Sequence, residues 1–289
     1  MKLNNKFLNL LFYLLIAYGL FIFIKNSDLN LDLVIYNYYF VIAAIFLKLF
    51  NFFIFNQVHH HIFKMLNLKI DSFENFDLTY KGYIGNFFGF GKSGTGYKAI
   101  FLKNKYQFSY IKFLSFYVLL QTLTLFFTAL FCLFILLFSK DLMENINLIL
   151  ILLSVIVIAI SSNLVNKVVT RFNYLVKYKY FKKVFETCEE IASISNKLLF
   201  KDSNFLKVIF YQIFIQTNLF LQILMLSKSL NIDITVLSNF VYNIISQIST
   251  FVSITPNSIG LKEFILVISD QFIGLTNSQI LNIAILDRL

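Results

Sequence analysis

Apolar residues in this chain come in long, nearly unbroken blocks, not in the alternating or one-in-four rhythm of half-buried strands and helices. Five blocks, at residues 7–24, 33–55, 110–138, 146–166 and 204–227, match the length needed to cross a hydrocarbon core, which takes about 20 residues of helix. Two further stretches, 80–103 and 236–274, are apolar but interrupted, and each reads as a broken or re-entrant segment. Between them, residues of about 172–200 place Val176, Tyr180, Val184, Ile191, Ile194 and Leu198 at near-helical spacing among Lys177, Lys179, Glu186 and Glu190. That pattern predicts a helix lying on the membrane surface. The expected architecture is all-α: a single membrane domain over 1–289, a polytopic helical bundle of six to eight hydrophobic segments.

Charge orients the blocks. The N-terminus and the loops 56–109 and 167–203 hold 17 Lys/Arg, whereas the loops 25–32, 139–145 and 228–235 hold three. By the positive-inside rule the N-terminus and both long loops are cytoplasmic. The first block follows Lys2 and Lys6 but is too long for a signal-peptide core, and Ala17-Tyr18-Gly19 is a poor cleavage site, so an uncleaved span is expected. Composition agrees: 58% apolar and 14% charged, with 37 Phe and no Trp, and a mean hydropathy of +0.74. The Asn, Lys, Ile, Phe and Tyr richness fits an AT-rich bacterial coding sequence, which implies a bacterial cytoplasmic (inner) membrane protein. The net charge of +10 follows from the loop bias and is spread over two loops, so no nucleic-acid face is implied. Cys132 and Cys188 lie far apart and suggest neither a disulfide nor a metal pair.

Candidate chemistry concentrates at the two interruptions. The only proline, Pro256, opens Pro256-Asn257-Ser258-Ile259-Gly260-Leu261-Lys262-Glu263 inside an apolar region. Irregular backbone at membrane depth survives only where protein or a watery cavity satisfies it, and a charge there costs about 2.5–3.5 kcal/mol on insertion scales. The other interruption is Gly89-Phe90-Gly91-Lys92-Ser93-Gly94-Thr95-Gly96. Gly- or Pro-broken short segments in corresponding halves are where transporters bind substrate, and a twofold internal repeat is plausible on that ground.

Several motifs fall away on context. Gly89-x-Gly91-x-x-Gly94 lacks the strand before it and the acid after it that a dinucleotide site needs, and Gly91-Lys92-Ser93 lacks the first P-loop glycine, Asn86 standing there. His59-His60-His61 do not all face one ion from a helix, and solvated interfacial histidines are expected. Glu263 has two readings of equal weight: a carboxylate in the first turn of a helix, where it complements the dipole by about 0.3–1 kcal/mol, or a ligand for a cationic or hydroxylated headgroup. Lys98, Lys103 and Arg288 read equally as interfacial snorkelling cations. No catalytic constellation stands out, and no cofactor or metal is called for.

The two interruptions also carry a family resemblance. Asn86, Phe90, Gly94, Lys98, Leu102 and Lys103 follow the first signature of the flippase-like family that includes the transmembrane region of lysylphosphatidylglycerol synthases, with Phe90 where proline is usual. Pro256, Ile259, Gly260, Leu261, Lys262 and Glu263, then Asp287-Arg288, resemble the second. The resemblance implies a helical bundle with re-entrant segments acting on amphiphilic lipids, and a further span beyond Leu289. Aminoacyl transfer, which in the synthases belongs to a soluble domain, does not follow from it.

The leading expectation is a protein that binds and translocates an anionic phospholipid or a polyprenyl-linked glycan. Lys92, Lys98 and Arg288 would meet a phosphate, Gly94 and Gly260 would allow close backbone approach, and Asn86, Pro256 and Glu263 would complete the site. A non-transporting accessory protein of lipid-linked polysaccharide assembly ranks second, with a soluble or membrane biosynthetic enzyme as its partner. An integral-membrane lipid-linked transferase ranks last.

Overall fold

The computed structural model describes residues 33–89, 92–138, 203–251, 255 and 258–288. The blocks at 7–24 and 146–166, the surface helix read at 172–200 and Pro256 lie outside the described residues. Among the described residues there are helices and no strand: α1 (Tyr38–Met65), α2 (Ser72–Phe88), α3 (Ser93–Tyr106), α4 (Tyr110–Phe138), α5 (Ser203–Ser229), α6 (Val236–Phe251), α7 (Leu261–Ile268), α8 (Asp270–Ile273) and α9 (Asn277–Leu286). The chain is an all-α polytopic membrane protein, with α1, α4 and α5 long and apolar enough to cross a bilayer.

α1 and α5 form the central pair and run antiparallel. The Tyr36 amide donates to the Ser229 carbonyl (2.9 Å), Asn218 Nδ2 donates to the Leu47 carbonyl (2.6 Å), and His61 Nδ1 lies 3.1 Å from Asn204 Oδ1. The apolar block at 33–55 ends well short of Met65, where α1 ends. The helix continues through polar residues because protein, not lipid, covers them. Asn56, His59 and His61 are buried, and Asn75, Thr79 and Asn204 meet their polar groups. The solvated histidines expected at 59–61 are therefore corrected: only His60 remains half-buried.

After α1 the chain reverses through Asn67 in the left-handed region, and Asp71 caps α2 by accepting from the Phe73 amide at 2.9 Å. α2 then lies back along α1, with Phe52 against Phe76, Tyr80 and Tyr83. α3 returns beside α2, and the two arms are tied at their open end by Glu74, which accepts from Lys105 Nζ and the Tyr106 hydroxyl at 2.5 Å each. α6 likewise turns back along α5, stacking Phe240 on Phe220 at 4.7 Å between ring centroids.

Two apolar cores result, one at each end of the α1–α5 pair. The first joins Val58, Ile62 and Phe63 of α1 with Leu78, Leu102, Phe116 and Val208. The second joins Ile223 and Leu226 of α5 with Tyr242, Leu266, Ile273 and Ile283, reaching Ala44 of α1 and Cys132 of α4.

Candidate functional site

The arms of the first hairpin approach so closely that glycine is required. A Cβ on Gly94 would stand 1.9 Å from the Gly82 carbonyl oxygen and 2.7 Å from the Asn86 nitrogen. The space at Gly94 is thus filled by α2. Asn86 serves the same contact: its Oδ1 accepts from the Thr95 amide at 3.0 Å and its Nδ2 donates to Thr95 Oγ1 at 3.2 Å. It caps α3 from outside, because Lys92, the residue at the cap, is in the left-handed region and offers no side-chain bond. Lys92 instead reaches across to α4, donating from Nζ to the Tyr117 hydroxyl at 2.8 Å.

Lys98 is buried, at 9% exposure. Its stem lies over Gly82, where a Cβ would meet Cε at 2.1 Å. Its Nζ is 3.5 Å from His59 Nδ1, which is also 3.2 Å from Thr79 Oγ1. Sequence reasoning offered snorkelling or a phosphate partner for this lysine; the fold turns it inward, toward α1.

The second interruption carries a network of charges. Glu263 Oε2 accepts from the Gly260 amide at 2.8 Å, closing the first turn of α7. Its Oε1 takes Arg288 Nε and Nη2, each at 2.6 Å, and Arg288 Nη2 also donates to the Ser258 carbonyl at 3.3 Å. The first reading of Glu263, a carboxylate in the first turn of a helix, is thus met, and its other oxygen is taken by Arg288. Next to it, Asp287 accepts from Lys262 Nζ (2.5 Å) and Gln222 Nε2 (2.7 Å) through its carboxylate. Its backbone carbonyl takes Lys48 Nζ at 2.6 Å. These side chains are held inside protein, Lys262 at 12% and Asp287 at 16% exposure.

Lys48 lies in the first half of α1 and Gln222 in the last third of α5, so the network sits on the side of the central pair that carries the second core. Tyr83 of α2 and Tyr242 of α6 both lie within electrostatic reach of Asp287 and Arg288. Tyr242 is fully buried, and its hydroxyl has no hydrogen-bond partner among the described residues.

Of the residues expected to form one site, the structure joins Gly260, Glu263 and Arg288. Asn86, Gly94, Lys92 and Lys98 belong to the first hairpin, and no described hydrogen bond or ion pair links Lys98 to Glu263 or Arg288. Sequence reasoning missed Lys48, Gln222, Tyr242 and His59. Lys48 had a signal, as the one charge inside the block 33–55. Gln222 and Tyr242 had none, since a single amide or phenol in an apolar helix has no distinguishing spacing.

The chain belongs to the family of the lysylphosphatidylglycerol synthase TM region, whose model matches residues 7–289. No curated protein and no solved structure matches it.

Proposed function

We propose that this chain binds an anionic or glycosylated lipid and passes its headgroup across the inner membrane of a bacterium. One observation carries the reading: a charged network in the interior of a bundle otherwise built from apolar helices. It holds three cations, Lys48, Lys262 and Arg288, against two carboxylates, Glu263 and Asp287. A charge at such depth costs about 2.5–3.5 kcal/mol on insertion scales and marks a function by default. The imbalance of one positive charge among the described residues is met by one anionic group, such as a phosphate linking headgroup to tail.

In this reading the phosphate takes over Arg288 and Lys262 in charge-assisted bonds, leaving Glu263 to the Gly260 amide and Asp287 to Gln222. Gln222 and the spare Tyr242 hydroxyl turn to headgroup hydroxyls. The tails stay in lipid outside the α6–α7 hairpin. Family membership supports a lipid as the ligand, since the family takes its name from a lipid synthase.

The test is translocation in vesicles of phosphatidylethanolamine and phosphatidylglycerol carrying a head-labelled phosphatidylglycerol, with outer-leaflet label quenched. Wild type and the surface control Lys81→Gln should expose inner-leaflet label, and Arg288→Gln and Asp287→Asn should not. Wild type that exposes none, and retains only bulk phospholipid in native mass spectrometry, would sink the proposal in favour of an accessory role.

A further inference from the structure

Two stretches of the chain repeat each other's local structure 164 residues apart. α1 runs out through Lys64-Met65-Leu66-Asn67-Leu68-Lys69-Ile70-Asp71, and α5 through Lys228-Ser229-Leu230-Asn231-Ile232-Asp233-Ile234-Thr235. Lys, Leu, Asn, an aliphatic residue and Ile recur at the same steps. Asn67 and Asn231 are both left-handed, with φ 59° and 54°. In the first turn the Leu66 and Leu68 amides donate to the Phe63 carbonyl, and the Asn67 amide to Lys64. In the second the Leu230 and Ile232 amides donate to the Ser227 carbonyl, and the Asn231 amide to Lys228. Asp71 and Thr235 then cap the helices that follow.

Helix ends of this kind recur in unrelated proteins, so the turn alone decides nothing. The next correspondence does. Asn75 and Asn239 are both fully buried four steps past those caps. Asn75 Nδ2 donates to the carbonyl of Asn56, and Asn239 Nδ2 to the carbonyl of Phe220, each at 3.0 Å. Donors and acceptors are alike 164 residues apart, and no turn geometry demands this bond.

The copies are inverted. α1 and α5 are tied at 36 with 229, 47 with 218 and 61 with 204, so each step along one helix is matched by an equal step back along the other. Because α1 and α5 also correspond under the 164-residue shift, the axis relating the two copies is a twofold that crosses the pair. Hairpins α2–α3 and α6–α7 therefore enter from opposite ends of the pair, as in inverted-repeat transporters with substrate sites at broken helices.

The same shift pairs Lys98 on the returning arm α3 with Lys262 on the returning arm α7. Lys98 is turned to α1 and, among the described residues, meets a histidine but no carboxylate. Lys262 is turned to α9 and is held by Asp287. Among the described residues one lysine has an anion and its counterpart has none, as expected of equivalent halves held in different postures.

We propose that residues 38–106 and 203–268 are inverted copies of one unit, and that Lys98 and Lys262 are its paired stations for the lipid's anionic group, one served from each face of the membrane. The station roles rest on the proposed lipid function; the duplication does not. The anionic group completes Lys98 when the first hairpin opens, and displaces Asp287 from Lys262, Gln222 and Lys48 remaining on Asp287.

The experiment uses the full chain with Cys132→Ser and Cys188→Ser, carrying Lys98→Cys or Lys262→Cys, in the vesicles above. Lys98→Cys removes a buried cation without a carboxylate and so relieves an unfavourable burial. Ser93→Cys and Leu261→Cys, the first residues of the same arms, serve if Lys262→Cys fails to fold. A membrane-impermeant thiol reagent is applied to one face at a time. Opposite-face labelling of the two arms, with both lysine positions protected by phosphatidylglycerol and not by phosphatidylethanolamine alone, is the expected result. Labelling of both arms from one face overturns the proposal. Opposite-face labelling without protection in a protein that translocates lipid overturns the stations and leaves the duplication. A protein that moves no lipid loses the proposed function and the stations together, while opposite-face labelling still upholds the duplication.

Discussion

The hairpin α2–α3 is closed by glycine contact, and a single methyl group tests that account. In Gly94→Ala the new Cβ would meet the Gly82 carbonyl oxygen at 1.9 Å, the Asn86 nitrogen at 2.7 Å and the Gly82 carbonyl carbon at 2.8 Å. All three are backbone atoms, so no side chain can swing aside and the arms must part. Parting them stretches the Asn86–Thr95 bonds and the bond from Ser93 Oγ to the Gly85 carbonyl. Forcing extra volume into a packed contact costs about 1–3 kcal/mol, and losing a helix cap costs about 1 kcal/mol more. Alanine returns about 1 kcal/mol through helix propensity. The net loss is roughly 1–3 kcal/mol, or on the order of 2–12 °C in Tm at the roughly 2–4 °C per kcal/mol of a domain near this size. Gly96, two residues on in the same helix, has nothing within 4 Å of its Cβ position. Gly96→Ala should therefore stabilise by up to about 1 kcal/mol. Heating both variants in detergent and following helical circular dichroism reads the difference. A Gly94→Ala protein as stable as wild type, or a Gly96→Ala protein equally damaged, would refute the packing argument.

Two further outcomes follow from the charges. Lys262→Met and Asp287→Leu should each destabilise by up to about 3–5 kcal/mol, since each strands a buried partner. The double variant should lose less than the two losses combined, by a coupling of about 0.5–3 kcal/mol in the same melts; strict additivity would deny the pair. At the open end of the first hairpin, the hydrogen bonds from Lys105 and then Tyr106 hold the Glu74 carboxyl below its ordinary value of 4.5. Its stabilisation is then present above that value and lost as pH falls through the lowered one. Glu74→Gln should melt below wild type at neutral pH, by no more than about 1 kcal/mol for a surface pair, and converge with it once pH falls below the carboxyl's lowered value; a gap that persists in acid would contradict this.

What could be read from the sequence was what lipid imposes. Lipid-facing helix has to be apolar, so the blocks at 110–138 and 204–227 reappear as α4 and α5 with bounds hardly moved. Where protein replaces lipid the constraint lapses. α1 runs on through Gln57, His59 and His60 because α2 and α3 pack over that end, and nothing local to those residues announces it. Glu263 and Arg288 could be picked out as charges near a break, but their mutual bond joins residues of two helices that only the turn through α8 brings together. Asn86 stood out in the sequence only through its place in the family signature, and nothing in that spelling shows that it caps the next helix. Its partner Thr95 is nine positions away across a reversal, and only the fold shows that. The duplication was hidden for a related reason. What the two copies share is backbone bonding and a handful of scattered residues, while most side chains between them have diverged.

α5 connects these observations. It buries Gln212, Gln216, Asn218 and Gln222 on an otherwise apolar helix. Gln216 links to Thr124 of α4 and Gln247 of α6, Asn218 to α1, and Gln222 to Asp287 beside α9. Between helices in lipid there is no hydrophobic drive, and a polar side-chain link averages only about 0.6 kcal/mol. Four such links are too weak to explain the bundle's cohesion, which must come from packing. Their weakness is what suits a helix of one inverted half that packs against the other. An amide carries both a donor and an acceptor, so it can release one carbonyl and take another at little net cost. A salt bridge in the same place would lock α5 to one neighbour. The strong bonds beside it belong to the charged network, where Asp287 keeps Gln222 on its carboxylate and Lys48 on its backbone carbonyl when Lys262 leaves for a passing anion. Weak exchangeable links along α5 and strong replaceable ones at the break are together what a device with two postures requires.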